Sequence, residues 1–260
     1  MADQILEVRD LVIRFNSFQA INGLEFRVTV PREGAGVRHV IIGPNGAGKT
    51  TLFDAITGAV APAGGAIAFH GQRIDRLSIA HRARLGIVRT FQHSRVFTSL
   101  SVLENIWVGA NQHDATYRFW TGWRRNRRAL ADAQNIAQLL GLDPLAHKEA
   151  GVLSHGQRRV LEIGMALAAK PRLLLLDEPT AGLSRPERER VVQSVTDLST
   201  TCPVVAIEHD LDIVFTFATW ITVLHHGKLL RDGPPEVIAR DDAVDAAYLG
   251  ERGVSDVAAG

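Results

Sequence analysis

Eight consecutive residues, Gly43-Pro44-Asn45-Gly46-Ala47-Gly48-Lys49-Thr50, carry the most specific chemistry in the chain. They fit the spacing G-x-x-x-x-G-K-[ST] of a phosphate-binding loop. Glycines let backbone N–H groups turn inward around phosphate oxygens, where side chains would block the approach. A helix that starts at such a loop aims its positive end at the same anion. Lys49 then reaches the β- and γ-phosphates, the Thr50 hydroxyl can bind Mg2+, and Thr51 joins the nucleotide-binding residues. Farther along, Asp177-Glu178 follows four leucines. An aspartate at a strand end facing a phosphate loop can hold the Mg2+ shell, and the adjacent Glu178 can orient or deprotonate an attacking water. Alone, two acids before Pro179 read as solvated turn residues; the phosphate loop gives them a catalytic reading.

These groups need elements to hold them. Three short apolar runs, Val40-Ile41-Ile42, Leu173-Leu174-Leu175-Leu176 and Val204-Val205-Ala206-Ile207, do not alternate with polar residues. That pattern predicts strands buried on both faces of a parallel sheet. Each run leads directly into polar residues: Gly43-Pro44-Asn45, Asp177-Glu178 and Glu208-His209. Ligands of open α/β sheets sit beyond the carboxyl ends of strands, so three such ends predict one shared site. Leu52, Phe53 and Ile56 predict an amphipathic helix after the loop, ended by Gly58. Val160, Ile163, Gly164 and Leu167 predict a second, started by a Ser154–Gln157 capping box and followed by Pro171. A third starts near Ser184 with another box, to Glu187, and runs to about Leu198. Leu6 to Phe15 and Gly23 to Val30 alternate, which predicts antiparallel strands. Residues 94–151 read as mostly helical.

Composition narrows the class. Lys and Arg number 29 against 28 Asp and Glu, a net charge of +1, which argues against a general nucleic-acid binder. With 46% hydrophobic and 22% charged residues, the chain of 260 residues is an ordinary globular one of one large domain or two small ones. A single cysteine, Cys202, gives no disulfide framework and reads as a small core residue in a reducing compartment. No run approaches the roughly 18–20 apolar residues of a membrane helix. The charged start, MADQILEVRD, does not look like a signal peptide. The expectation is a cytosolic chain.

Leu153-Ser154-His155-Gly156-Gln157, together with the phosphate loop, resembles the signature motif of ABC-type ATPases, with His155 in place of a glycine. The resemblance covers about residues 5–250 and implies a P-loop NTPase of α/β class: a RecA-like core, an antiparallel β-subdomain and a helical subdomain at about 94–151, with 251–260 as a flexible tail. It implies that Gln92, in Arg89-Thr90-Phe91-Gln92, is the glutamine that reports on Mg2+ and attacking water. His209 matches the switch histidine that contacts the γ-phosphate, and Phe15 the adenine-stacking aromatic, although Phe18 is close. Family members pack head to tail, so ATP lies between one phosphate loop and the partner's signature residues Ser154, Gly156 and Gln157. One copy of each motif therefore implies two chains, identical or paralogous. Two departures stand out. Ser184 occupies the place of a frequent aspartate in the loop that crosses the dimer, and the turn around residues 32–37 looks lengthened.

A finer resemblance links Arg89-Thr90-Phe91-Gln92, Val96-Phe97, Leu100 to Asn105, Leu161-Glu162-Ile163 and Tyr248-Leu249-Gly250 to the ATPases of branched-chain amino-acid uptake systems. Leu153 to Gln157, Leu161 to Met165 and Val223 to Gly227 lean toward the urea and short-amide branch of that group. The implied partners are membrane permease subunits, docked in a groove near His93, Ser94, Val96 and Phe97, and a solute-binding protein; the implied place is peripheral, on the inner face of the membrane. Two rival readings are an ABC ATPase acting on nucleic acid or ribosomes, and an exporter subunit. Tyr117 to Arg128 holds five arginines and four aromatics, and reads as a solvated basic face, a patch for anionic headgroups, or a nucleic-acid contact.

Overall fold

In the computed structural model, residues 3–31, 36–90, 96–110 and 127–255 are described. Gln92, His93 and Ser94, residues 32–35 of the lengthened turn, and residues 117–126 of the basic aromatic segment lie outside them.

Alternating burial makes the first element. β1 (Asp3–Phe15) and β2 (Phe18–Val30) pair antiparallel and meet at Phe15 and Phe18. With β4 (Gly64–Phe69) and β5 (Gln72–Arg73) they form a four-stranded sheet in the order β2-β1-β4-β5. The second sheet has six strands: β3 (Arg38–Ile42), β6 (Ile87–Arg89), β7 (Leu173–Asp177), β8 (Val204–Ile207), β9 (Trp220–His225) and β10 (Lys228–Gly233). Their order is β10-β9-β3-β8-β7-β6, parallel except for β10.

The three apolar runs are β3, β7 and β8, and the reason they do not alternate is visible in the packing. Val40, Ile42, Leu174, Leu176, Val204 and Ala206 join one hydrophobic cluster. Ile41, Leu173, Leu175, Val205 and Ile207 join the other, on the opposite face. Strand side chains alternate between faces, and both faces are covered, so every position is apolar. The second cluster contains Leu52, Phe53 and Ile56 of α1 (Lys49–Thr57) and Leu6, Val8, Leu11 and Ile13 of the antiparallel sheet. The first contains Val160, Leu161 and Ile163 of a helix over His155–Ala168, and Val191, Val195 and Leu198 of one over Arg185–Ser199.

Between β5 and β7, the described helices are α2 (Ile79–Arg84), α3 (Val102–Ala110), α4 (Arg127–Leu139) and α5 (His155–Ala168). Short 3-10 turns at Asp143–Leu145 and Ala150–Val152 join the last two. α3 and α4 pack on α5. After β7 come α6 (Arg185–Ser199), α7 (Leu211–Phe217), α8 (Pro235–Ile238) and α9 (Asp242–Ser255). α9 runs to Ser255, five residues into the stretch read as a flexible tail. Cys202 is buried, and burial pushes its thiol up to about 12, so it is an inert core residue. Among the described residues, no helix is long and apolar enough to cross a membrane.

Candidate functional site

β3 delivers the chain into the glycine loop, and the loop into α1. Gly43 has φ 145°, and a Cβ there would lie 2.1 Å from the carbonyl oxygen of Leu224. Gly48 has φ 101°, and its Cβ would lie 3.0 Å from the carbonyl oxygen of Ala20. Both positions exclude side chains on steric grounds. Gly46, Asn45 and Thr50 are exposed, Pro44 and Ala47 are buried, and Thr51 is half-buried. No side chain caps α1 and no acid lies in its first turn, so its leading N–H groups and positive end remain for an anion. Lys49 is buried, and its Nζ donates to the carbonyls of Gly43 at 2.6 Å and Pro44 at 2.8 Å. This cradle fits the phosphates of a nucleotide. A cavity of about 500 Å³ opens beside it, lined by Asn45, His225, His226 and alanines of α9.

β7 and β8 bring the acids to the same edge, because β8 lies between β3 and β7 in the sheet. Asp177 is 2% exposed, and its Oδ2 accepts from Arg89 Nη2 at 2.5 Å. Glu178 has φ 48°, a strained value for a non-glycine residue, while its N–H donates to Ile207 O at 3.0 Å. Its Oε1 lies 2.8 Å from Nε2 of exposed His209. Two residues expected to act together therefore touch. Asp177 and the Thr50 hydroxyl offer hard oxygen donors, which suit a magnesium ion held jointly with phosphate oxygens.

Sequence reading missed three residues that hold this loop. Arg159 of α5 donates to the backbone carbonyls of Asp177 at 2.5 Å and Glu178 at 3.1 Å, and pairs with Glu162 at 2.8 Å. Buried Glu208 accepts from Thr180 N at 3.1 Å, Thr180 Oγ1 at 2.8 Å and His209 N at 3.2 Å. Burial raises its carboxyl above the ordinary range against those bonds. Arg89 is the third. The signal available was a charge inside an apolar pattern: half-buried Arg89 ends the apolar run Ile87-Val88, and buried Arg159 and Glu162 interrupt the apolar face of α5.

Ser154 and Gln157 form the expected capping box at the start of α5. Ser154 Oγ also donates to Glu187 Oε1 at 2.9 Å, and Gly156 N donates to the same oxygen at 3.1 Å. The other oxygen of Glu187 accepts from Ser184 N at 3.1 Å and Ser184 Oγ at 2.7 Å. These donors hold Glu187 at about 2, well below the usual carboxylate range. Ser184, at the departure from the family pattern, thus serves the start of α6. His155 is exposed. The described hydrogen bonds of Ser154 and Gly156 connect them to Gln157, Arg158 and Glu187, and not to the phosphate loop. Phe15 and Phe18 are both exposed at the β1–β2 turn, two to five residues from Ala20, which touches Gly48. Val96 packs against the core, whereas Phe97 is 50% exposed.

The architecture and the loop agree with known proteins. A family model described as ABC transporter matches residues 32–181. The high-affinity branched-chain amino acid transport ATP-binding protein BraF of Pseudomonas aeruginosa is 37% identical, over 96% of this chain and 100% of the relative. LivG of Escherichia coli strain K12, with the same transport description, is 36% identical over 96% and 100%. Among solved structures, the ADP conformation of an ATP-binding cassette of an ABC transporter superposes with a TM-score of 0.83 and 30% identity, covering 95% of this chain and 99% of the other. A nucleotide-free cassette gives 0.81 and 30%, covering 94% and 98%. The phosphate cradle, the paired acid and histidine at adjoining strand ends, and these likenesses agree: the chain belongs to the ABC transporter family, as an ATP-binding and ATP-hydrolysing cassette.

Proposed function

We propose that the chain powers an importer of branched-chain amino acids, docked on membrane permease subunits and working as one of two cassettes. The observation that carries the chemistry is the 2.8 Å contact between Glu178 and His209, after the ends of β7 and β8, the strands next along the sheet from β3 and its phosphate loop. The solute class rests on the relatives, whose names specify branched-chain amino acids. That favours these solutes over the urea and short-amide branch, whose support is confined to sequence variants such as His155.

In this reading, the first-turn N–H groups of α1 and the loop N–H groups bind the phosphates. Lys49 exchanges its bonds to Gly43 and Pro44 carbonyls for β- and γ-phosphate oxygens. Phe15 stacks on the base. Thr50 and Asp177, with Gln92, would hold a magnesium ion, whose charge screens the phosphoryl oxygens during transfer. Glu178 orients the attacking water, while His209 fixes its carboxylate and faces the γ-phosphate. Ser154, Gly156 and Gln157 serve the partner cassette's ATP, for which Ser154 Oγ and Gly156 N would leave Glu187; among the described residues neither bonds the phosphate loop of its own chain. Closure around two ATP molecules would move the permease subunits, and hydrolysis would reopen the pair. A solute-binding protein would deliver the solute outside.

Deleting the gene in its host tests this directly. Energised uptake of labelled leucine should disappear while urea uptake persists, and wild-type chain should restore it where Glu178→Gln does not. Loss of urea uptake alone would transfer the chain to the short-amide branch. Loss of neither would point to the exporter or nucleic-acid reading.

A further inference from the structure

Arg89 occupies a position that invites an apolar residue. It ends β6, follows Ile87 and Val88, and is only 11% exposed along its side chain. Leu175 is its register partner on β7, so Asp177, two residues on, projects to the same face. Its guanidinium forks: Nη2 reaches Asp177 Oδ2 and Nη1 reaches Asp54 Oδ1, each at 2.5 Å. Cζ lies 5.4 Å from the centroid of the Phe53 ring. Asp54 and Phe53 belong to α1, the helix that begins with Lys49 and Thr50. One side chain therefore ties the phosphate-loop helix to the acid at the end of β7.

We propose that Arg89 is a positioning residue for Asp177, holding one of its carboxylate oxygens so that the other is left for the divalent cation that accompanies a bound nucleoside triphosphate. The proposal rests on the reading of Asp177 as a cation-facing acid. Among the described residues, Asp177 Oδ1 accepts no hydrogen bond, while Oδ2 takes the arginine. A buried carboxylate needs a cation or donors to stay charged, and Arg89 supplies both. Two carboxylates on different elements require the planar fork; a lysine ammonium cannot span them with two fixed donors. Arg89 Nε and the hydroxyl of the next residue, Thr90, are buried and unpartnered among the described residues. Buried polar atoms are seldom left so, and both sit where β6 ends. Asp54 thus acts at one remove, setting the angle of Arg89.

The test is the Mg2+ dependence of the full-length chain, read in two ways: binding of a fluorescent ATP analogue with and without Mg2+, and the Mg2+ concentration giving half-maximal hydrolysis. Arg89→Lys and Arg89→Gln should raise that concentration about tenfold, the scale seen when groups orienting a metal ligand are removed. Affinity in EDTA should stay at the wild-type value. Asp54→Asn should shift it less, in the same direction. If Arg89 only stabilised the fold, its variants would weaken nucleotide binding equally with and without Mg2+, and that result overturns the proposal. So does wild-type Mg2+ dependence in the Arg89 variants. Should these fail to fold, Asp54→Asn decides alone, since unchanged Mg2+ dependence there also counts against it. Asp177→Asn separates the two readings: if it leaves Mg2+ dependence intact, the assignment of Asp177 itself is wrong.

Discussion

Glu178 combines a strained backbone with a carboxylate turned to the residue expected to act beside it. Its φ of 48° lies in the left-handed region, and its carboxylate is committed to His209 rather than to a stabilising cap. The left-handed conformation costs a non-glycine residue about 1 kcal/mol or more. Glu178→Gly should therefore unfold at higher denaturant than Glu178→Gln, while both lose ATP turnover; chemical denaturation followed by tryptophan fluorescence checks this. His209→Ala should retain ATP binding and lower kcat by about 10²–10⁴, because it removes the group that aligns Glu178. Equal losses in affinity and kcat would assign His209 to binding instead.

At the scale of elements, α5 and α6 share one cap. Glu187 serves Ser154 and Gly156 with one oxygen and Ser184 with the other, so two helix starts separated by β7 are fastened at a single carboxylate. Its position explains why residue 156 is glycine within one chain: a Cβ there would come within 2.6 Å of Glu187 Cγ and Cδ. Gly156→Ala should lower the unfolding midpoint by roughly 2–8 °C. In a Glu187→Gly background the same change should cost less, since Cβ, Cγ and Cδ of residue 187, all within 2.7 Å of the added methyl, are gone; a double-mutant cycle by thermal denaturation measures the difference. Additive effects would separate Gly156 from Glu187.

At the scale of the molecule, the two sheets meet around His39. Its ring lies 4.9 Å from that of Phe26 on the antiparallel sheet, and its Nε2 is 2.7 Å from Thr222 Oγ1 on β9. The Thr222 hydroxyl donates to Asp232 Oδ1 at 2.6 Å, so Nε2 of neutral His39 is the donor to Thr222. Full burial lowers His39 from 6.5 to about 3. The unfolded chain takes up a proton near pH 6.5 that the folded chain refuses until about pH 3, so stability falls with pH across that window. The slope from this one group reaches at most about 1.4 kcal/mol per pH unit. His39→Leu should flatten the stability profile between pH 6.5 and pH 5, measured by urea titration at each pH. A profile parallel to the wild type would remove His39 from the acid response.

Features set by neighbours in the chain were legible in the sequence. The phosphate loop, the Ser154–Gln157 box, the end of α1 at Gly58 and the apolar strands each depend on residues a few positions apart, where backbone sterics and burial constrain residue type. The polar residues that follow three buried strands, Gly43-Pro44-Asn45, Asp177-Glu178 and Glu208-His209, also pointed to a shared site. What only the tertiary structure decided is the strand order that inserts β8 between β3 and β7, and with it the contact of Glu178 with His209. Arg89 with Asp177, Arg159 with the Asp177 carbonyl and Glu187 with Ser154 join residues 88, 18 and 33 positions apart. No local pattern encodes such pairs, because the charge that makes each residue look out of place is balanced by a partner on another element. Only the packing of the sheet against its helices brings the two together.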